Sequence, residues 1–338
     1  MKVLVTGGLG FIGSHTVVEL QNKGLEVIII DDLSNSSEKV LDGIFAITGK
    51  KPIFEKLDLK EKSEVEDFFK KHTDISGVIH FAASKAVGES VENPLLYYEN
   101  NIGTLVYILK ELSKKDKASF IFSSSCTVYG QADKMPITED APVKTAESPY
   151  GNTKQIGEEI ISDTCKVTPS LNAIALRYFN PMGAHPSTEI GELPIGVPQN
   201  LVPYITQTGI GMREQLSVFG GDYPTEDGTC IRDYIHVVDL AKAHVIALQR
   251  LLEGKNDDNY EVFNLGTGTG SSVLEAIKSF EKVSEKKLNY KIVDRRAGDI
   301  TAAYASTDKA NNILGWKAAS TLDEAMKSAW DWEVKIRK

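Results

Sequence analysis

Several things are scarce in this 338-residue chain, and each scarcity closes off a class of function. Basic residues are outnumbered, 38 Lys and Arg against 47 Asp and Glu, for a formal net charge of −9. That balance repels polyanions overall and argues against a general nucleic-acid or membrane-surface binder. No apolar run approaches the roughly 18 residues needed to span a bilayer. The N-terminus runs straight into strand-like Lys2–Thr6, so neither a signal nor a transit peptide is expected. Only three cysteines occur, Cys126, Cys165 and Cys230, which fits reduced thiols in a cytoplasmic protein. They and the six histidines lack metal-ligand spacing, so no metal site is expected. Internal repeats and low-complexity segments are missing too.

What is there is an ordinary globular composition, long enough for one large α/β unit or two closely joined domains. Short β-branched runs alternate with longer amphipathic ones through the first half. Strand-like segments lie at Lys2–Thr6, Glu26–Ile30, Pro52–Leu57, Gly77–Phe81, Ala118–Ser123 and Asn172–Leu176. Helix-like segments such as Phe11–Lys23, Lys62–His72, Pro94–Lys114 and Tyr150–Cys165 fall between them. This alternation predicts right-handed crossovers and a Rossmann-like, doubly wound parallel sheet. From Asn180 to Gly228, Gly, Pro and Asn crowd the chain, which reads as long loops with little regular structure in a substrate region. Helix-like Val237–Leu252 and strand-like Tyr260–Leu265 suggest a return to the sheet, and Leu322–Val334 reads as a final amphipathic helix.

Gly7, Gly10 and Gly13 follow the first strand and open a helix, with Phe11 and Ile12 between the last two. Glycines there permit a tight turn, close approach of phosphates and close helix–strand packing, while the helix N-terminus offers free N–H groups. Asp31 ends the second strand where an acid would hold the adenosine ribose. Asp31-Asp32 with no adjacent Arg favours NAD over NADP, whose extra phosphate would be repelled. Gly266-Thr-Gly-Thr-Gly270 looks similar, yet Lys286-Lys-Leu-Asn289 lies where its acid-ended strand should be. It reads as a structural strand-to-helix loop.

Tyr150 and Lys154 stand four residues apart, so on a helix they share a face. A free phenol titrates near 10, and a useful base near neutrality needs a shift of roughly three units, about 4 kcal/mol. A neighbouring ammonium and a cationic nicotinamide both favour the phenolate. Pro149 suits a helix start, and Ser123-Ser-Ser125 ends a strand where ligands of open α/β sheets gather. The set predicts redox chemistry at a carbinol, with Tyr150, Lys154 and Ser125 catalytic.

These motifs, with Ser123-Ser-Ser-Cys-Thr-Val-Tyr-Gly130 and Arg177-Tyr-Phe-Asn180, resemble the extended short-chain dehydrogenase/reductase family. Asn180-Pro-Met-Gly-Ala-His-Pro186 and Tyr223-Pro-Thr-Glu-Asp-Gly-Thr-Cys-Ile-Arg-Asp-Tyr-Ile-His236 resemble its branch of UDP-hexose 4-epimerases. The resemblance covers almost the whole chain. It implies an NAD-binding domain over residues 1–180, rejoined around 236–267, and a smaller α/β domain over 181–338 that mainly binds nucleotide sugar. It assigns NAD to Gly7, Gly10, Phe11, Ile12, Gly13, Asp31, Asn35, Asp58, Leu59, Phe81, Ala82, Lys85, Asn100, Ser123, Tyr150, Lys154 and Tyr178. It assigns the UDP-sugar to Ser125, Tyr150, Asn180, Asn200, Phe219, Arg232, Arg296, Asp299 and Ala303.

The implied reaction interconverts UDP-galactose and UDP-glucose through a 4-keto sugar on tightly bound NAD. A nucleotide-sugar 4,6-dehydratase is the nearest alternative, but it needs an Asp-Glu pair where this chain has Cys126-Thr127. A non-catalytic NAD sensor is the alternative from another class. Ala303, where sugar-restricted relatives carry a bulky Tyr, predicts room for a 2-acetamido group and hence for UDP-GlcNAc and UDP-GalNAc. Tyr304 would close that space if the alignment slipped by one residue. A homodimer through Pro94–Lys114 and Tyr150–Cys165 is also implied.

Overall fold

Alternate residues of the first strands go to opposite faces of one sheet, and two separate cores receive them. The computed structural model describes residues 1–296 and 299–338. Strands β1 (Lys2–Thr6), β2 (Glu26–Asp31), β3 (Ile53–Lys56), β4 (Ile75–His80), β5 (Ala118–Ser125) and β6 (Leu171–Tyr178) alternate with helices. Those helices are α1 (Phe11–Asn22), α2 (Lys39–Thr48), α3 (Lys62–Lys71), α4 (Val87–Glu92), α5 (Pro94–Leu112) and α6 (Pro149–Val167). The chain leaves through β7 (Asn180–Met182), α7 (Leu201–Gly209), β8 (Leu216–Phe219), β9 (Ile231–Arg232) and β10 (Tyr234–His236). It then comes back as α8 (Val237–Leu252) and β11 (Tyr260–Leu265). Then come β12 (Ser271–Ser272), α9 (Val273–Ser284), β13 (Tyr290–Val293), β14 (Ala302–Ala303), a π-helical turn (Ala310–Leu314) and α10 (Leu322–Ile336).

Seven strands lie in the order β11-β6-β5-β4-β1-β2-β3, all paired parallel. Val3, Val5 and Ile29 face one core with α1 and α8, while Leu4, Ile28 and Ile30 face the other with α3, α5 and α6. The period of two puts helices on both faces, as the sequence pattern predicts. Strand order reverses at β1, so the carboxyl ends of β1 and β4 flank the switch point where ligands of such sheets bind.

A third core, built from α7, β8, α9 and α10, lies outside this sheet. Its helices α9 and α10 each begin with a capping box, Ser272 with Glu275 and Thr321 with Glu324. One expectation is refined here and one corrected. The stretch from Asn180 to Gly228 is mostly irregular, as the sequence predicts, yet it also holds β7, α7 and β8. Pro203 does not break α7 because it falls in the first turn, where its missing N–H costs no helical bond. The second glycine loop is also followed by a strand running into an acid, β13 and Asp294. That strand pairs with β8 in a separate two-stranded sheet, so no βαβ unit forms with β11. Among the described residues no helix is long and apolar enough to cross a membrane, and no group of three or more His, Cys, Asp and Glu side chains could hold a metal.

Candidate active site

The turn out of β1 is shaped by backbone crowding. Gly7 has φ +65°, and a Cβ there would come 2.9 Å from the Ala82 nitrogen. A Cβ on Gly13 would collide with the Gly7 carbonyl oxygen, so α1 sits hard against the strand it follows. Gly10 is the N-cap and provides no side-chain cap, which leaves the first-turn amides of α1 to an outside acceptor. Asp31 is buried at the end of β2 and accepts from Leu9 N at 3.0 Å, Leu33 N at 3.1 Å and Ser36 Oγ at 2.7 Å. A carboxylate accepts about four bonds, so capacity remains for a hydroxyl. Asn35 is exposed on the loop beyond it, while half-buried Asp58 and buried Leu59 follow β3. Phe81, Ala82 and Lys85 form the loop after β4, anchored by Phe81 N to Thr6 O at 3.1 Å and Ala82 N to Thr6 Oγ1 at 3.3 Å. Asn100 donates to Ser84 Oγ at 2.9 Å from α5. Cradle, uncapped amides and acid together fit a dinucleotide.

Beside this cradle α6 begins, with Ser148 accepting from Gly151 N at 3.1 Å and Pro149 in the first turn. Tyr150 and Lys154 are both buried on its inner face. Lys154 Nζ donates to the Ser123 carbonyl at 2.7 Å and lies 4.8 Å from the Phe122 ring centre and 5.8 Å from that of Tyr150. An ammonium has three N–H donors, so two remain for a ligand. Ser125 ends β5 opposite Tyr178 of β6, and Ser123 Oγ lies 2.6 Å from the Tyr178 hydroxyl. Burial pushes the Tyr150 phenol well above its ordinary range, with the Ser125 hydroxyl pulling the other way. Burial also pulls Lys154 down to about 8, opposed by the charge of Glu158. Phenol, hydroxyl and ammonium can thus meet one carbinol, and any added positive charge lowers the phenol.

A second cluster comes from β8, β9 and the segment before β14. Asp299 accepts from Arg296 Nη2 at 2.9 Å and lies 3.5 Å from Arg232 Nη2. Arg296 sits 5.7 Å from the Phe219 ring centre, while Arg232 Nη1 is fixed by the Ile231 and Ile300 carbonyls at 2.8 and 2.9 Å. Two guanidinium groups against one carboxylate leave positive charge for a diphosphate in an acidic protein. Asn180 starts β7 and donates its N–H to Asp233 O at 2.9 Å. Asn200 is exposed, with its amide donated to Glu192 at 2.6 Å.

Ala303 is buried with Val128, Tyr129, Ile137 and Phe179, next to the turn that follows Ser125. Tyr304 takes the other face, where a Cβ on Gly270 would come 3.1 Å from its ring. Strand alternation thus puts the two side chains on opposite faces, with the small one in the cluster that includes Val128 and Tyr129.

Some side chains here lack a motif signal. Asn101 accepts from Ser84 N at 2.8 Å and donates to Ser84 O at 3.0 Å and Thr153 Oγ1 at 3.1 Å, tying the loop after β4 to α6. Its only sequence sign is an Asn-Asn pair within an apolar helix. Asp233 is buried and accepts from Thr267 N at 2.8 Å and Ala305 N at 3.1 Å. Nothing local to Asp233 announces those distant partners.

Comparison with known proteins matches residues 3–266 to the model of the NAD-dependent epimerase/dehydratase family. The chain belongs to that family. A UDP-glucose 4-epimerase of Bacillus subtilis (strain 168) is 50% identical over 333 residues, 98% of this chain and 97% of the relative. The structure of UDP-glucose 4-epimerase from Bifidobacterium longum in complex with NAD⁺ and UDP is 45% identical. It has a TM-score of 0.94 and covers 99% of this chain and 98% of its own. The enzyme from Stenotrophomonas maltophila, with bound NAD and formylated UDP-arabinopyranose, has a TM-score of 0.95 at 44% identity. It covers 100% of this chain and 99% of its own. As a family member this chain uses NAD, and it shares the Rossmann-like fold of these structures.

Proposed function

We propose that the protein is a UDP-glucose 4-epimerase, interconverting UDP-galactose and UDP-glucose by oxidising and re-reducing C4 of the hexose. The carrying observation is that Tyr150 and Lys154 are buried side by side on α6 against the end of β5, where Ser125 faces the phenol, in a chain whose first glycine turn leaves the leading amides of α1 without a cap. The NAD- and UDP-bound relatives support it. Residues 1–180 with 236–267 serve the cofactor, and 181–338 mainly serve the nucleotide sugar.

Bound NAD supplies the hydride acceptor at C4 and, on the other face of the sugar, the hydride donor. The first-turn amides of α1, Phe11 to Gly13, would hold its pyrophosphate, and Asp31 with Asn35 would hold the adenosine ribose, beside Asp58 and Leu59. Phe81, Ala82, Lys85, Asn100, Ser123 and Tyr178 line the remainder. Tyr150 as phenolate takes the C4 hydroxyl proton and later gives it back, while Ser125 orients that hydroxyl. Lys154 favours the phenolate by its charge. Arg232 and Arg296 grip the diphosphate, so the ketone can turn over without leaving. Asn180, Asn200 and Phe219 complete the nucleotide contacts. Burial pushes the Cys126 thiol up to about 11, so it stays protonated near neutrality and cannot be the base of a dehydratase.

Ala303 leaves space beside the hexose for a 2-acetamido group. Val91 and Leu95, 62% and 80% exposed on α4 and α5, offer an apolar face for a homodimer. Three unpaired cysteines fit work in the cytoplasm.

The test is to incubate purified protein, without added NAD, separately with UDP-galactose and UDP-GalNAc and to separate the products by chromatography. UDP-glucose is expected from the first and UDP-GlcNAc from the second. No product from either, even with NAD added, overturns the proposal. Ala303→Tyr is expected to abolish turnover of the acetylated sugar alone; equal loss on both sugars sinks the pocket argument.

A further inference from the structure

The row formed by Tyr150 and Lys154 continues for another turn. Glu158 is four residues beyond Lys154 on the same face of α6 and is buried. Arg177 of β6 grips its carboxylate, with Nε 2.9 and 3.2 Å from the two oxygens and Nη2 2.5 Å from Oε2. Ser124, next to Ser125, donates to Oε1 at 2.5 Å. Arg177 also donates to the Tyr129 hydroxyl at 2.9 Å, which donates to Asn264 Oδ1 of β11 at 2.6 Å. A buried ion pair is a poor source of stability, because desolvation offsets its attraction. This one is fixed beneath the catalytic lysine.

Lys154 itself meets a carbonyl and two aromatic rings. The titratable groups around this region are Tyr150 and Glu158 from α6, His80 from β4, and Arg177 and Tyr178 from β6. Cys126 follows β5, Tyr97 comes from α5 with Glu89 of α4 on its hydroxyl, and Tyr260 of β11 lies near Glu158. Burial keeps His80 neutral by pulling it down to about 3, and keeps Tyr178 and Cys126 neutral by pushing them up to about 12 and about 11. Glu158 is the anion whose charge reaches Lys154.

We infer that Glu158, held by Arg177 and Ser124, is a positioning residue that keeps Lys154 charged. It thereby sets the upper pH limit at which Tyr150 can exchange its proton. The inference rests on the roles of Tyr150 and Lys154 proposed above. The sign follows from charge: without the anion the ammonium loses its proton at lower pH, and the alkaline limb of kcat moves down.

The experiment compares wild type, Glu158→Gln and the double variant Glu158→Gln with Arg177→Met, each with its retained cofactor, on UDP-galactose across pH. For Glu158→Gln the alkaline limb is expected about one pH unit lower, with kcat about tenfold down above it and within about threefold below it. KM and NAD content stay unchanged. The double variant removes the stranded guanidinium, so it folds more readily and its limb falls between the other two. An active wild type and a folded double variant sharing one alkaline limb would make the pair merely structural and overturn the inference. A wild type that turns over no UDP-hexose overturns the proposed function along with it.

Discussion

At Gly7–Gly13 and again at Gly266–Gly270 a strand ends, glycines turn the chain and a helix soon follows. In the first turn, α1 starts from a glycine with no side chain to satisfy its leading amides. In the second, the Asp233 carboxylate accepts from Thr267 N at 2.8 Å and Gly268 N at 3.3 Å. The capping box of α9 closes what is left, with Ser272 Oγ accepting from Glu275 N at 3.0 Å and Glu275 accepting from Ser272 N at 2.7 Å. The second turn carries its own anion on two of its amides; in the first, Asp31 takes Leu9 N alone and the leading amides of α1 are left for a foreign anion. Glycine spacing reports the path of the backbone. Whether that path ends in a ligand site depends on who takes the N–H groups.

Substitutions can break this contrast. The largest effect is expected at Gly13→Ala, where the added methyl meets the Gly7 carbonyl. Overpacking of that kind costs about 3 kcal/mol, roughly a hundredfold in cofactor affinity. NAD released on denaturing the purified variant, measured by chromatography, checks it. Asp233→Ala should act on the other turn alone, stranding the amides of Thr267, Gly268 and Ala305. A loss of about 2 kcal/mol in urea unfolding is expected, with NAD content unchanged. Should NAD fall with it, the two turns are not independent. The smallest effect belongs to Ser272→Ala, a lost cap worth about 1 kcal/mol, again read from urea unfolding at constant NAD content.

The first turn was legible because everything that defines it lies within one short window, from Lys2 to Asp31. The same holds for Val237–Leu252 and Tyr260–Leu265, whose observed bounds match the sequence pattern. The second turn was legible only as a loop, since Asp233 is 34 residues from Thr267. Distance also hid the pairing of β8 with β13, joined by no short connection. α7 was obscured by Pro203, a residue that breaks helices everywhere except the turn it occupies. Tyr150 and Lys154 were readable from spacing on one helix. Glu158 shares that spacing and passed unnoticed, because a Glu on a helix ordinarily faces water.

The order of strands also has a consequence in time. β6 gains its outer neighbour only when β11 is made, roughly 80 residues later. At ribosomal speeds of about 5–20 residues per second, the nascent sheet keeps an open edge for several seconds or more. That edge, Leu171–Tyr178, is largely apolar and long enough to recruit another strand. The protein is therefore most vulnerable to misassembly midway through its own synthesis, when the cofactor cradle already exists and the sheet beside it is unfinished.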